Sequence, residues 1–583
     1  MKKREKYVRY GVCAVLILAA CVASVVFLYL RRKKRKTPKK EALKGEAAER
    51  YITGEDTGKK AAAEGKTTGK NISRKEKTED RTTEKERTEI PVEDLPSKDR
   101  ADDSRQTGRV KKGMKRAAGV LYFVLILGIC LVPSAFFWSR PAGKTAENRA
   151  MAPRPELQTT EGFNWKYLSD AGDYFTDHFA FRQELVAINA RIRADLFGVS
   201  PVEDVIVGKN GWLYYAATLD DYQHKDSVSE RMLFNMAHNT ALMQEYCEGL
   251  GKTFLFTIAP NKNTLYDENM PDRLRYRVAE KSDAERFKIL LASENVNYVN
   301  LFELFEEQEE VLYYARDSHW NEEGAVIVYN ALLDACGKLH ETYGAAEPVE
   351  KTDYIGDLGL MLFPVGGKPE RRLQYPAADT WNYAEGESVE DPFIRTVNEA
   401  GEGNLLMYRD SFGNSLLPYM AQAFSQAAFS RQVPYPMTDL VIYEPDIVIV
   451  EKVERHLPTL GTVPPLMSGP ERSFEKTCVP VKSAAATLQL SKEGSYWKFE
   501  GTTDAACMDV DSRIYVEVDD GDGAKLYEAF CVGRSDAENG STNDYGYVLY
   551  LSEVAVTGNT FYVRVMTEQE EAMAVLLEKE IQG

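Results

Sequence analysis

The stretch "NLLMYRDSFGNSLLPYMAQAF" (residues 404–424) decides how this chain is read. Leu405, Leu406, Met407 and Tyr408 form a short unbroken apolar run, as a strand buried on both faces does. Charged and small residues follow, and a helical pattern begins near Ser415. A buried strand feeding a helix through a short loop is half of a strand–helix–strand unit. The alternation continues in both directions. Upstream, "SERMLFNMAHNTALMQEYCEGLG" (229–251), "DAERFKILLASEN" (283–295) and "EEGAVIVYNALLDACGKLHETYG" (322–344) read as helices. "KTFLFTIAPNK" (252–262) and "VNYVNL" (296–301) read as strands, and downstream "DIVIVEKV" (446–453) is another. Strands alternating with helices of this length predict a mostly parallel α/β sheet. Chemistry in such sheets sits at the carboxyl ends of the strands.

Further out the texture changes. Ahead of the α/β region, "PVEDVIVGKNGWLYY" (201–215) reads as strand and turn, and residues 139–200 as a helical segment. After residue 467, "YWKFEGTTD", "RIYVEVDDGDGAKLYEAFCVG", "YGYVLYLSEV" and "NTFYVRVMT" are short alternating strands with Gly and Asp turns. They predict a small β-sandwich over 468–583, a candidate glycan-holding module. The α/β domain is placed at 201–467.

Two apolar runs without a charge, residues 10–30 and 117–138, are each long enough to span a bilayer as a helix. Residues 31–116 between them hold 28 Lys and Arg against 17 Asp and Glu, with few aromatics. That composition predicts a disordered basic tether. From residue 139 on, 40 Lys and Arg face 72 Asp and Glu. A domain so acidic excludes nonspecific nucleic-acid binding and attraction to an anionic bilayer surface. Basic clusters at both ends of the tether, "RRKKRKTPKK" and "RVKKGMKR", place it in the cytoplasm. The second run then exits, and residues after 138 are extracytoplasmic. The five basic residues before Tyr10 oppose this order. Met114 also opens a stretch like the start of a signal-anchored protein, so residues 1–113 read alternatively as an appended anchor. Of the eight cysteines, five lie outside the runs, scattered singly with no Cys-x-x-Cys pair, and no zinc site is readable. Cys507 and Cys531 read as two buried thiols rather than a bridge.

Ser411 lies where a strand ends and a helix begins, so the first helical N–H groups offer donors for an oxyanion. A serine hydroxyl needs a base, itself oriented by a third group. "DSHWNEEGA" (317–325) offers both, because residues two apart in an extended loop point the same way. Asp317 is expected to orient His319, and His319 to take the proton of Ser411. Asn321 is the expected N-cap of the following helix. The plainer reading of either Asp-Ser pair is helix capping alone. Asn261 and Lys262, at the end of a strand, are candidates to line the site.

With "DSHWNEEGA" and "YRDSFGNS" in this order, the chain resembles the SGNH hydrolase-like family of alginate O-acetyltransferases and the related clostridial DHHW proteins. "ENRAMAPRPEL", "DHFAFR", "VIVGKNGWLYY", "IAPNKNTLY", "GDLGLML" and "VIVEKVERHL" extend the resemblance over roughly residues 147–460. Two features depart from ordinary SGNH enzymes: Arg409 stands where Gly precedes Asp-Ser, and no separate Asn motif is visible. The resemblance implies a three-layer SGNH-like domain with Ser411 as nucleophile, His319 as base and Asp317 as orienter. Asn261, Lys262 and Arg409 are then expected at the substrate site. It implies O-acetylation of an exported or cell-surface polysaccharide, with a multi-pass membrane acyltransferase supplying acetyl. No metal and no resident cofactor are expected. The alternatives are an acetylesterase using the same triad and a non-catalytic glycan-binding protein.

Overall fold

The coordinates form a computed structural model that describes residues 117–128, 131, 135–137, 151–159 and 162–583, apart from 344–346, 376–379, 482–484, 536–541, 557 and 570–571. The first apolar run and the whole of the tether lie outside the described residues. Of the second run, residues 117–128 are helical. Among the described residues no helix is long and apolar enough to cross a membrane.

The segment expected to be helical ahead of the α/β region contains α1 (Tyr167–His178) and α2 (Arg182–Phe197). A short antiparallel pair, Val205–Val207 with Leu213–Tyr215, follows. The central sheet is built from β1 (Thr253–Ala259), β2 (Tyr298–Val299), β3 (Asn382–Glu385), β4 (Phe393–Val397), β5 (Asn404–Tyr408), β6 (Gln426–Ser430) and β7 (Ile447–Val453). Its order is β2-β1-β7-β5-β6-β4-β3. Five strands are parallel, and β4 and β3 add antiparallel at one edge. β5 lies in the middle, with Tyr408 paired to Val450 of β7 and Ser430 of β6.

Helices cover both faces, because successive residues of these strands point alternately into two cores. Phe254, Phe256, Leu406 and Val448 pack with α3 (Glu230–Gly249) and α4 (Asp283–Ser293). Leu255, Leu405, Met407 and Ile449 pack with α5 (Leu301–Glu306) and α6 (Glu322–Ala335). Between α6 and the sheet edge, α7 (Asp357–Leu362) sits within the antiparallel pair Val349–Tyr354 and Glu370–Gln374. α8 (Leu417–Ala423) joins the second face. The helix after Ser411 begins later than the sequence suggests: a single 3-10 turn, Phe412–Asn414, comes first and α8 starts at Leu417.

The C-terminal region folds as a six-stranded and a four-stranded sheet around one apolar cluster. Strands Ile514–Asp519 and Thr560–Glu568 supply one side, and Tyr496–Thr502 and Thr542–Ser552 the other. The seam with the α/β domain runs along α3, where Met232 and Met236 share an apolar cluster with Phe530, Val532, Val548 and Tyr550, and polar side chains of the same helix find backbone partners across it. The Arg231 guanidinium donates to the carbonyls of Val510 (2.9 Å) and Ser512 (2.6 Å). The Asn235 amide donates to the Asp544 carbonyl at 2.8 Å. Asn239 donates to the carbonyls of Leu460 and Cys531, both at 2.9 Å, and accepts from the Cys531 N–H at 3.1 Å. All three side chains are buried. Such groups need partners, since an unpaired buried amide costs about 1–3 kcal/mol. Cys507 and Cys531 are free thiols, and Cys531 is fully buried.

Candidate active site

Ser411 leaves the carboxyl end of β5 on a rigid turn. Asp410 fixes that turn: its Oδ1 accepts from the Phe412 N–H (2.9 Å) and its Oδ2 from the Val453 N–H at the end of β7 (2.6 Å). Buried Glu451 accepts from the Asp410 N–H at 3.0 Å, and burial beside Asp410 pushes its carboxyl well above the usual range. The Phe412 ring is fully buried and lies 4.7 Å from the His319 ring and 4.9 Å from Trp320. Among the described residues the Ser411 N–H makes no hydrogen bond, which leaves it available to an oxyanion.

The loop "YYARDSHW" is closed at its ends by the Tyr313–Trp320 bridge and by the Asn321 N–H on the Leu312 carbonyl (2.8 Å). Asn321 caps α6 through the Gly324 N–H at 2.9 Å, as its position in the sequence predicts. Within the loop, Asp317 Oδ1 accepts from the His319 N–H (2.9 Å) and stands 2.7 Å from His319 Nδ1. His319 Nε2 is 2.8 Å from Ser411 Oγ. The structure therefore brings Asp317, His319 and Ser411 into one continuous relay. The other Asp317 oxygen accepts from the Tyr354 hydroxyl (2.6 Å) and the Asp357 N–H at the start of α7 (2.8 Å). Burial alone would raise the Asp317 carboxyl, but these hydrogen bonds and the imidazole hold it well below the usual carboxylate range. Burial works to lower the His319 imidazole, and Asp317 outweighs it, so the net shift is upward.

The three residues expected at the substrate site are instead engaged inside the protein. Lys262 is buried, and its ammonium donates to the carbonyls of Tyr314 (2.9 Å), Ala315 (3.0 Å) and Asp317 (2.7 Å). All three of its protons are used, so it clamps the loop and leaves nothing for a ligand. Burial pushes it down to about 7. Asn261 is buried, donates from its side chain to Asp221 (2.6 Å) and from its backbone to Glu454 (2.7 Å). Arg409 is buried against the carbonyls of Asp410, Val389 and Asp391 and the Asn414 side chain. Position at a strand end identified the neighbourhood of these residues but not the direction of their side chains.

Four contributors escaped the sequence reading. Tyr354 and Asp357 hold Asp317. Glu370 accepts from the Ala315 and Arg316 N–H groups, both at 2.8 Å, and steadies the same loop. Arg455, just past β7, lies 5.4 Å from the Tyr215 ring and 6.0 Å from the Phe412 ring, with its Nε unpartnered among the described residues. "GDLGLML" and "VIVEKVERHL" mark Asp357 and Arg455 in the sequence, while Tyr354 and Glu370 carry no local signal. One grouping among the described residues, Asp317, His319 and Asp357, has metal-ligand types within 4.8 Å of one another. Its Asp317 oxygens are already filled by protein N–H and O–H donors, which argues against a metal there.

Residues 205–382 match the family model described as the SGNH hydrolase-like domain of acetyltransferase AlgX. The resemblance to the SGNH hydrolase-like acetyltransferases is thereby shown. The matched span contains Asp317 and His319 and ends before Ser411. Solved structures similar to this chain include PatB1 of Bacillus cereus, at 13% identity and a TM-score of 0.35 over 43% of this chain and 96% of that one. A DHHW family protein of Eubacterium siraeum is 15% identical, with a TM-score of 0.31 over 38% and 85%. The O-acetyltransferase domain of Pseudomonas putida AlgJ is 17% identical, with a TM-score of 0.30 over 44% and 92%. No curated protein matches the chain.

Proposed function

We propose that the protein is a membrane-anchored, extracytoplasmic O-acetyltransferase acting on a cell-surface or exported polysaccharide. The observation that carries this reading is the relay from Asp317 through His319 to the Ser411 hydroxyl, with spacings of 2.7 and 2.8 Å. In the first half-reaction, Ser411 Oγ attacks the acetyl carbonyl of a donor while His319 Nε2 takes the hydroxyl proton. The Ser411 N–H faces the negative charge that gathers on the carbonyl oxygen. The donor's leaving group departs with the proton from His319, and an acetyl-Ser411 ester remains. In the second half-reaction His319 takes a proton from a sugar hydroxyl, whose oxygen attacks the ester and restores Ser411. The donor is a multi-pass membrane acyltransferase, since an extracytoplasmic domain does not meet cytoplasmic acetyl carriers. The acidic domain favours neutral or weakly charged glycans.

The test incubates the purified chain with a chromogenic acetyl ester, with and without a neutral acceptor glycan. Acetylated Ser411 should be captured by rapid quenching and mass spectrometry, and acetyl should pass to the glycan. Free acetate as the sole product at every acceptor concentration would make the protein an esterase. Failure of Ser411 to take either an acyl group or a sulfonyl reagent would leave a binding protein.

A further inference from the structure

α2 is packed with its small residues inward. Ala187 and Ala190 are buried, and Ala194 is partly buried against the cluster of Val205, Leu213, Leu358 and Leu362. Ile188, Ile192 and Leu196 remain 46%, 49% and 72% exposed. At 3.6 residues per turn these two sets occupy opposite sides of the helix. A water-facing helix shows the reverse arrangement, with bulky aliphatics against the core. α1 has the same character: Leu168 is 85% exposed, and Trp165 just before the helix is 89% exposed. A contiguous apolar surface of this kind marks an interaction site.

The position of the second apolar run indicates what covers it. Phe137, near the end of that run, packs on Phe175 with ring centroids 5.2 Å apart and on Tyr174 at 6.3 Å. Phe136 packs on Phe181, the N-cap residue of α2, at 5.8 Å. Phe175 is seven residues beyond Leu168 and so lies on the same face of α1. The run thus ends against the apolar face of this helix pair. If the run crosses a bilayer, its aromatic end marks the lipid–water boundary, and the helix pair is held there.

We infer that α1 and α2 lie on the outer bilayer surface, with Trp165, Leu168, Phe175, Ile188, Ile192 and Leu196 at the boundary between headgroups and acyl chains. The inference rests on the membrane-anchored reading given above. Insertion is driven by apolar area, as for interfacial amphipathic helices. The surplus of negative charge in the domain makes zwitterionic lipid the fitting partner, and salt has little effect.

Trp165 is a built-in reporter. Full-length chain and its Trp165→Phe variant are reconstituted into phosphatidylcholine vesicles with and without brominated acyl chains. The difference between their emission spectra isolates Trp165. Blue-shifted emission, quenched by bromine and insensitive to added salt, is the expected result. The triple variant Ile188→Gln, Ile192→Gln and Leu196→Gln should weaken that quenching while the near-ultraviolet circular dichroism stays unchanged. Unquenched, water-like Trp165 emission in a chain that resists alkaline extraction would overturn the inference and leave the anchoring intact. A chain that alkaline washing strips from the vesicles would overturn the anchoring itself. Cross-linking of Leu196→Cys between two chains without quenching would assign the face to a second copy instead.

Discussion

Asp317 accepts hydrogen bonds from two N–H groups of His319, from Tyr354 and from Asp357. An Asn at that position must turn an NH2 group toward at least one donor, so charge and orientation are lost together. Asp317→Asn should therefore lower acyl turnover by roughly 10³- to 10⁴-fold. Ser411→Ala and His319→Ala should each abolish it, because the residues act as one unit. Hydrolysis of a chromogenic acetyl ester, with circular dichroism as the folding control, checks these three. The pH profile follows from the shifts. His319 must be unprotonated to act as base, and its imidazole is shifted upward. Turnover should rise with pH through an apparent pKa above about 6.5, the ordinary imidazole value. Stability runs the other way. The raised His319 contributes fully below its unfolded pKa, and that contribution is lost as pH rises through the folded value. The depressed Asp317 contributes above its unfolded pKa, and loses this as pH falls through the folded value. The pair thus stabilises most in weak acid, where His319 is protonated and cannot act as base. The placing of Asp317 beside His319 was legible because they stand two apart in one short loop, and that of Ser411 because it falls at the end of a buried strand. Lys262 was misread because strand-end placement does not say whether an ammonium meets solvent or three carbonyls.

Among the elements, the antiparallel pair around α7 was the least legible. "VEKTDY" and "ERRLQ" are short, mostly exposed and rich in charge, so they show no apolar alternation. β6, "QAAFS", has small residues that read equally well as loop, and β3 and β4 sit at an edge where burial is partial. The parallel strands β1, β5 and β7 were legible because burial on both faces makes them continuous apolar runs. The contact between α7 and the catalytic loop depends on Gly356. A Cβ there would stand 2.8 Å from Asp317 Cβ and closer still to the Arg316 carbonyl. Gly356→Ala should displace the Asp357 N–H from Asp317 and lower kcat by about 10²-fold, the cost of a small misplacement. KM for a small ester should change little, since no substrate contact is removed. Unaltered kcat in a folded Gly356→Ala chain would show that α7 does not position the acid.

At the scale of the molecule, topology is the first question to settle, and the structure identifies the cysteine to use. Cys478 is exposed whereas Cys531 is buried, so Cys478 is the reporter for a membrane-impermeant thiol reagent. Labelling in intact cells is expected; protection until lysis would place the domain in the cytoplasm. The division into α/β and β regions was readable from strand texture, but their union was not. It depends on Arg231, Asn235 and Asn239 alongside the apolar contacts of Met232 and Met236, and nothing local in a helical pattern says that its polar residues face another domain. These side chains find partners between Val510 and Asp544, close to the end of the chain. Ribosomes and export machinery deliver a polypeptide from its amino end. When Ser411 emerges, the relay has all its members, yet α3 still carries two amides and a guanidinium whose carbonyl partners, from Leu460 to Asp544, have still to be delivered. Maturation of the α/β half must then wait for the later strands to be delivered, and a chain stopped short by a premature stop codon is left with buried polar groups unpaired, an easy substrate for proteases.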